Sequence, residues 1–576
     1  MIVRVVPDVT GLDKEFDYLV PARWHDTVAL GSLVRVPLHG RRVGGWVIAI
    51  DPPDGAVDAD RLREIAKVSS IGPSVELIEL ARWASHRWAA GRLRPFLHAA
   101  SPATNVARRP PLDRRRPEPA RPVPQVREVV AAGGGVLRWP PNDLLRDVVA
   151  TAASAGPALV LHPSVDGARR IAANLRRGGW SVALVPEQWA RAEAGVDVVV
   201  GSRVAAWAPC PDMAVAVVLD EHDEALQEER APTWHARDVV VERARRAGVP
   251  VVLVSPCPTV TALHGRGPVR RSAVADERAS WPIVEVIDRT QEAPWQTSLV
   301  SSSLIRHLRD QERTVVCVHN TPGRARVLAC RTCRALVRCA TCEAAVALTD
   351  DGRLTCARCR TMRPPVCLEC GAGAFANLRP GVTRLREELE AAAGRPVVAV
   401  TGRDTEPPVH APIYVGTEAV LHRVGHRVDT VAFLDFDREL LAPRYRAGEQ
   451  AMALLVRGAR RSRRREHGGR LLIQTFLPDH AVINAAVRAD PGRMIEGEQA
   501  RRQLLGLPPF AALAAVSGPG TAAYVEQLRT DDRVRVGGDD PTLVRAHDWA
   551  ALGDALGSIE RTRGDRVRVA VDPPRV

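Results

Sequence analysis

The sequence predicts an α/β multidomain protein built on two parallel-sheet lobes, and three observations carry that prediction. After residue 125, two series of short, continuously apolar segments alternate with helical periodicity. A stretch of shorter, β-like apolar runs precedes them, and the second series is interrupted by eight cysteines arranged as four CxxC pairs. At 576 residues the chain exceeds what one hydrophobic core supports, so several domains are expected.

Residues 1–100 read as a β-rich N-terminal module, with apolar runs at Ser32–Pro37 and Gly44–Ile50 and a helical pattern over Val75–Ala90. From 101 to 125 the chain reads SPATNVARRPPLDRRRPEPARPVPQ, whose prolines block regular structure and favour an extended Pro/Arg-rich linker. Arg114, Arg115 and Arg116 within it are read either as phosphate contacts or as a solvated stretch. Lobe 1 is expected over 126–290, with strands at Ala158–Leu161, Val196–Val200, Ala214–Leu219 and Val251–Ser255. Runs that are apolar throughout, separated by helices, indicate a parallel sheet covered on both faces. Lobe 2 is expected over 291–476, with strands at Thr314–Val318, Pro396–Thr401, Ile413–Gly416, Val431–Phe436 and Leu471–Thr475 and a cysteine-rich insert at 328–372. Residues 477–576, with PPF at Pro508–Phe510 and a strand-like Val567–Val571, read as a small α/β C-terminal domain.

Composition narrows the partners. No apolar run approaches the eighteen or so residues that a membrane span needs, and the N-terminus lacks an apolar signal core, so a cytoplasmic protein with no membrane partner is expected. The net charge of +13 favours a polyanion, with nucleic acid first. Arginine outnumbers lysine 78 to 2, so part of that charge reflects compositional bias.

Cys330, Cys333, Cys339, Cys342, Cys356, Cys359, Cys367 and Cys370 form four knuckles with intervening gaps of five, thirteen and seven residues. Two knuckles supply the four soft ligands of a tetrahedral zinc site, so eight thiolates match two closed, structural Zn²⁺ sites. The gap of thirteen suits a zinc ribbon, which pairs Cys339 and Cys342 with Cys356 and Cys359 and leaves Cys330, Cys333, Cys367 and Cys370 for the other ion. A cross-braced pairing is the alternative, and redox chemistry or iron–sulfur ligation are the rival uses. Cys210, Cys257 and Cys317 lie on or beside apolar strands and read as core thiols.

The run VVLDEHDE ends an apolar strand in Asp220, Glu221 and His222, where a carboxylate meets Mg²⁺ in phosphate-transferring folds. With VVVGSRVAAWAP (198–209) before it and WHARD (Trp234–Asp238) after it, the sequence resembles the family of replication-restart helicases known as primosomal protein N-prime, or PriA. FDYLVP (Phe16–Pro21), VRVPLHGRRVGGWV (Val34–Val47), the eight cysteines, VGTEAVLHRVGHRVDTVAFLDFD (Val415–Asp437) and EQARRQLLGLPPF (Glu498–Phe510) extend the resemblance over most of the chain. It implies two RecA-like lobes, the nested zinc pairing, and an N-terminal module that binds a nascent 3′ DNA end. Phe16, Asp17 and Tyr18 are then the DNA-binding residues, with Arg35, Arg41 and Arg42 as phosphate contacts; core packing is the other reading of Phe16 and Tyr18.

The departures from the family are as informative as the matches. A phosphate-binding loop needs glycines with free N–H groups and a lysine, yet the only lysines are Lys14 and Lys67. Where that loop belongs, the chain reads Arg138, Trp139, Pro140, Pro141, Asn142 and Asp143, and proline has no N–H to donate. The family's QVAGRAGR is replaced by LVRGARRS (Leu455–Ser462), so no arginine finger is expected, and a winged-helix domain has no room in the linker. Asp220, Glu221 and His222 are then a vestigial nucleotide site, with Asp220 the one remaining candidate ligand for Mg²⁺ and no usual holder for ATP. The expected function is a replication-restart protein that recognises forks, nascent 3′ ends and single strands without acting as a helicase. Its partners would be primosome and replicative helicase-loading proteins and single-stranded DNA-binding protein, in a cytoplasmic, nucleoid-associated setting. An active ATP-dependent DNA helicase, distinguished by ATPase activity, is the first alternative. A zinc-stabilised interaction protein without a DNA role, distinguished by salt-dependent DNA titration, is the second.

Overall fold

Apolar residues alternate with polar ones over the first fifty positions, the pattern of strands with one face buried. The computed structural model describes residues 1–576 except 13, 54–61, 292–297, 321–327, 350, 357, 378–381, 403–405, 539–540 and 560–565. Strands β1 (Ile2–Pro7), β2 (Phe16–Leu19), β3 (Leu33–Leu38), β4 (Arg41–Ile50) and β5 (Lys67–Ser70) form an antiparallel sheet in the order β2-β1-β4-β3-β5. Val3, Val5, Val34, Val36 and Val47 fill its inner face. The β3–β4 hairpin reverses over His39 and Gly40, both left-handed (φ 48° and 76°), as a two-residue turn that follows the strand twist requires.

The helix Val75–Arg87 turns Leu77, Ile78, Leu80, Ala81 and Ala84 into a cluster shared with Trp207 and Val218 of lobe 1 and with Ala512, Ala514 and Leu556 near the C-terminus. The N-terminal module, lobe 1 and the C-terminal sheet therefore share one core. Polar contacts reinforce the junction. Arg243, 1% exposed, donates to Glu76 at 2.7 Å and to the Ala208 carbonyl at 2.7 Å, and the Arg87 guanidinium lies 3.6 Å from the Trp549 ring centre.

The segment after residue 100 is extended, as its prolines dictate, but it is a docked strap instead of a free linker. Asp113 bridges in parallel to Val196, and the N–H groups of Arg115 and Arg116 donate to the buried Asp197 carboxylate at 3.0 and 3.2 Å. Ser181 N–H donates to the same carboxylate at 2.9 Å. Arg114 pairs with Asp212 (3.0 Å) and Arg115 with Asp113 (3.1 Å), so those two side chains are already engaged within the protein.

Lobe 1 is a parallel sheet of β6 (Gly135–Arg138), β7 (Ala158–Leu161), β8 (Val182–Val185), β9 (Val198–Gly201), β10 (Val215–Leu219), β11 (Val251–Ser255) and the short edge strand β12 (Arg270–Arg271). Their order is β12-β6-β11-β10-β7-β9-β8. Lobe 2 begins with β13 (Ile283–Asp288) and β14 (Val315–Val318). The cysteine-rich insert follows, with β15 (Leu328–Cys330), β16 (Val346–Leu348), β17 (Leu354–Cys356), β18 (Met362–Arg363) and β19 (Phe375–Asn377). Lobe 2 resumes with β20 (Val397–Val400), β21 (Ile413–Gly416), β22 (Thr430–Phe433) and β23 (Arg470–Thr475), giving a second parallel sheet in the order β13-β23-β22-β14-β21-β20. Both lobes are parallel sheets with near-continuous Val, Ile and Leu where helices cover both faces.

Cys210, Cys257 and Cys317 are buried. Past β23, Val482, Ile483, Ala485 and Ala486 of the helix Ala481–Val487 pack into the core of lobe 2. The C-terminal antiparallel sheet of β24 (Ala512–Ser517), β25 (Val534–Gly537), β26 (Thr542–Ala546) and β27 (Arg568–Val571) thus begins well beyond residue 477. Among the described residues, no helix is long and apolar enough to cross a membrane.

Because Asp197 accepts from three N–H groups at once, Asp197→Ala leaves buried donors without a partner and is expected to destabilise the fold by about 3 kcal/mol. Urea unfolding measures this, and a loss below about 1 kcal/mol contradicts the strap's anchoring role.

Candidate functional site

In the N-terminal module, register brings Arg4 of β1 opposite Asp17 of β2, and the two form a bidentate pair at 2.8 and 3.1 Å. The pair borders an open cleft of about 660 Å³ lined by Phe16, Asp17, Tyr18, the hairpin residues Leu38–Gly40, and Arg63. Phe16 is half-buried, whereas Tyr18 is 4% exposed and donates its hydroxyl to the Pro37 carbonyl at 3.2 Å. Burial raises the Tyr18 pKa, with Arg63 opposing, so the hydroxyl stays protonated as a donor. The structure therefore gathers Phe16, Asp17 and Tyr18 around one cavity. It does not bring Arg35, Arg41 and Arg42 into the lining: all three are exposed on β3 and β4, and Arg4 and Arg63 supply the cleft's cations instead. Arg4 had a legible signal, as the one charge in IVRVVP.

The eight cysteines come together as two tetrads, Cys330 with Cys333, Cys367 and Cys370, and Cys339 with Cys342, Cys356 and Cys359. Within each set the sulfurs lie within 4.8 Å of one another, with close pairs such as Cys330–Cys370 at 3.5 Å and Cys339–Cys359 at 3.3 Å. Tetrahedral sulfurs bound at about 2.3 Å would stand about 3.8 Å apart, so the donor sets fit a metal ion. The four knuckles share one geometry. After each pair the next residue, Arg334, Glu343, Arg360 or Gly371, is left-handed and donates its N–H to the carbonyl of the first cysteine at 2.9–3.0 Å. N–H groups also point at sulfur, as from Thr341 to Cys339 Sγ and from Arg358 to Cys356 Sγ, both 3.4 Å. The insert's apolar cluster is small, so metal ligation is the natural source of its order.

Between the lobes, β6, β10 and β11 end side by side in Arg138, Asp220 and Ser255, the edge of a parallel sheet where ligands bind. The loop after β6 does not form a phosphate cradle. Pro140 and Pro141 have no N–H, and the N–H groups of Trp139, Asn142 and Asp143 donate to Ser255 O, Ser280 Oγ and Pro140 O at 3.0, 3.1 and 3.2 Å. Every N–H that could turn toward a phosphate from 139 to 143 is absent or already engaged.

Asp220 is 2% exposed and holds a left-handed backbone (φ 51°), a conformation aspartate tolerates. Both its oxygens accept from one guanidinium, that of Arg460 at the end of the lobe 2 helix Ala447–Arg461, at 2.5 and 2.6 Å. Burial works to raise this carboxyl's pKa, but Arg460 outweighs it and holds the group well below the usual carboxylate range. Arg460 also donates to Pro141 O (3.1 Å), Arg464 to Asn142 O (2.9 Å) and Asp143 (2.7 Å), and Asn142 Nδ2 to Ala459 O (3.0 Å). Arg138 bridges Glu277 (2.9 Å) and Asp490 (2.6 Å). Expecting no arginine finger was therefore incomplete: arginines of this segment do reach the cleft, but they contact carboxylates and carbonyls. The expectation that Asp220 is open to Mg²⁺ is likewise corrected, since a guanidinium fork occupies both oxygens.

Glu221 and His222 do not line the cavity that Asp220 lines; they line a neighbouring one together with Glu449 and Arg457 of lobe 2. Glu221, 1% exposed, accepts from Thr259 N (2.8 Å), Thr259 Oγ1 (2.9 Å) and Arg237 (3.1 Å); burial raises its pKa against the pull of Arg237. His222 Nδ1 lies 2.8 Å from Ser255 Oγ, and burial pushes its pKa down to about 4. Neither residue is placed to orient a water over a bound phosphate, and the residues present do not fit ATP with Mg²⁺.

A family model described as 3'DNA-binding domain (3'BD) matches residues 4–102. The probable replication restart protein PriA of Mycobacterium tuberculosis (strain ATCC 25618 / H37Rv) is 28% identical over 603 residues, covering 92% of this chain and 89% of that protein. Replication restart protein PriA of Bacillus subtilis (strain 168) is 27% identical over 350 residues, covering 56% of this chain and 43% of that protein. Among solved structures, a DEAD box protein from Methanococcus jannaschii aligns with a TM-score of 0.31 at 11% identity, covering 64% of this chain and 90% of that one.

The Asp220–Arg460 pair generates a double-mutant test. Arg460→Leu alone leaves a buried carboxylate unpaired and is expected to destabilise the protein by about 3 kcal/mol, whereas adding Asp220→Leu should recover most of that loss. A coupling energy below about 0.5 kcal/mol in chemical unfolding contradicts the pair's place in holding the lobes.

Proposed function

We propose that this chain, which is similar over 92% of its length to a probable replication restart protein PriA, recognises forked or gapped DNA and helps reload the replication machinery without working as an ATP-driven helicase. The observation that carries the DNA part is the coincidence of the matched residues 4–102 with the cleft around Phe16, Asp17 and Tyr18. A 3′ end differs from the interior of a strand by its free hydroxyl, and the Asp17 carboxylate, oriented by Arg4, is the acceptor for it. A guanidinium opposes a metal cation but leaves each carboxylate oxygen a second lone pair for a hydroxyl. Phe16 offers a face for the terminal base, and Arg4 and Arg63 offer charge to the last phosphates. Primosome and helicase-loading proteins and single-stranded DNA-binding protein are the expected partners, in the cytoplasm and at the nucleoid.

The two cysteine tetrads are proposed to hold structural Zn²⁺, since four thiolates leave no open position for chemistry. The reading without helicase activity is supported by the engaged N–H groups of residues 139–143 and by Arg460 on Asp220. Transition-state charge on a transferring phosphoryl group needs oriented donors and a metal; loss of one such donor costs about 10²–10³ in rate, and here the set is gone.

Two measurements check this reading. Elemental analysis should return two zinc ions per chain and about one for Cys356→Ser; one metal or iron in the native protein contradicts it. In titrations, a fork with a nascent 3′-hydroxyl should bind about tenfold more tightly than the same fork ending in 3′-phosphate, a margin equivalent to about 1.4 kcal/mol. Asp17→Ala should erase that margin, with no DNA-stimulated ATP hydrolysis in either protein. Equal affinity for both forks overturns the 3′-end role, and turnover of several per second overturns the loss of the motor.

A further inference from the structure

Beside the interlobe cleft lies a group of basic side chains that the neighbouring carboxylates neutralise only in part. An open cavity of about 590 Å³ is lined by Arg427, Arg463, Arg464 and His467, all of them basic residues. Arg427 is exposed and has no hydrogen-bond or ion-pair partner among the described residues. Arg463 and Arg464 each have one carboxylate, Asp429 at 3.0 Å and Asp143 at 2.7 Å, and His467 stands 3.6 Å from Glu466. Arg461, whose guanidinium is held by the Leu421 and His426 carbonyls at 2.8 and 2.9 Å, continues the cluster toward Arg170 on the lobe 1 helix Val165–Arg177. The arginines repel one another: burial first, then Arg170 and Arg427, lower the pKa of Arg461, and burial and then Arg464 lower that of Arg427.

Keeping like charges together costs free energy that an anion would recover. We propose that this seam is a second DNA contact, which grips backbone phosphates without nucleotide. The proposal rests on the DNA reading above but uses different residues. Guanidinium forks match phosphate oxygens, and every side chain that lines the cavity is basic, with no carboxylate, amide or hydroxyl among them to read a base edge, which favours a phosphodiester backbone. All four lining residues belong to lobe 2, and lobe 1 reaches the seam through Asp143, paired with Arg464, and through Arg170 beside Arg461, so its charge balance depends on the lobes being together. The Asp220–Arg460 pair supplies that closure.

The test is titration of the full-length, metal-loaded protein with fork DNA over a range of KCl. Arg427→Gln with Arg463→Gln should lower the slope of log affinity against log salt by about 1–2, since each phosphate contact contributes about 0.9. Affinity should fall about tenfold for fork and blunt duplex alike, with 3′-end discrimination kept. Arg427→Lys should retain the native slope. Arg427→Gln alone, at a position with no protein partner to lose, should show part of the change with an unaltered melting temperature. An unchanged slope in the double variant, or loss of ATP binding without any change in DNA binding, overturns the seam. If that happens while Asp17→Ala still erases 3′-end preference, the function proposed for the N-terminal cleft stands.

Discussion

A carboxylate at the end of a buried parallel strand must have a counter-charge, and in this protein the partner of Asp220 comes from the other lobe. Where a nucleotide-binding fold leaves this aspartate for a metal and its water, Arg460 supplies a fork of two N–H donors and ties the end of β10 to the end of the helix Ala447–Arg461. The rest of the cleft follows from that contact. With Arg460 seated, its Nε reaches Pro141, the following turn brings Arg464 onto Asn142 and Asp143, and the β6 loop is held by side chains where a phosphate would otherwise sit. The N–H groups that the loop retains, at Trp139, Asn142 and Asp143, are satisfied within the protein.

The same logic extends outward. The N-terminal module sits on lobe 1 and the C-terminal sheet through one continuous apolar cluster and the pair of buried Arg243 with half-exposed Glu76, and the strap at 101–123 is pinned by Asp197. The DNA-end cleft is thus held in a set relation to the interlobe seam. On the proposed reading, the two surfaces would meet DNA at a defined separation, which suits recognition of a branched structure better than stepwise travel along a strand.

Much of this was legible in the sequence because the physics is local. Runs such as Val215–Leu219 are apolar at every position since helices cover both faces of their sheet, and four CxxC spacings specify four knuckles wherever they stand. What escaped the sequence depends on distant partners. Nothing in LVRGARRS says that Arg460 will meet a carboxylate 240 residues earlier, and its neighbour Arg461 caps carbonyls instead. The exposed Arg35, Arg41 and Arg42 match a basic hairpin in sequence, yet the cleft beside Asp17 takes its cations from Arg4, which pairs with Asp17 across β1 and β2, and from Arg63. The helix Ala481–Val487 looked C-terminal because its apolar face carries no mark of which core it joins.

If Arg460 has taken over the closing role of nucleotide, the lobes should not respond to nucleotide at all. Interlobe energy transfer between fluorescent amino acids incorporated at the exposed Arg177 of lobe 1 and Arg306 of lobe 2, which leaves the metal-binding cysteines untouched, measures this directly. The account predicts one short, narrow distance distribution that is the same with and without ATP and Mg²⁺, and that broadens in Arg460→Leu. A broad distribution in the native protein that narrows when ATP and Mg²⁺ are added would contradict it.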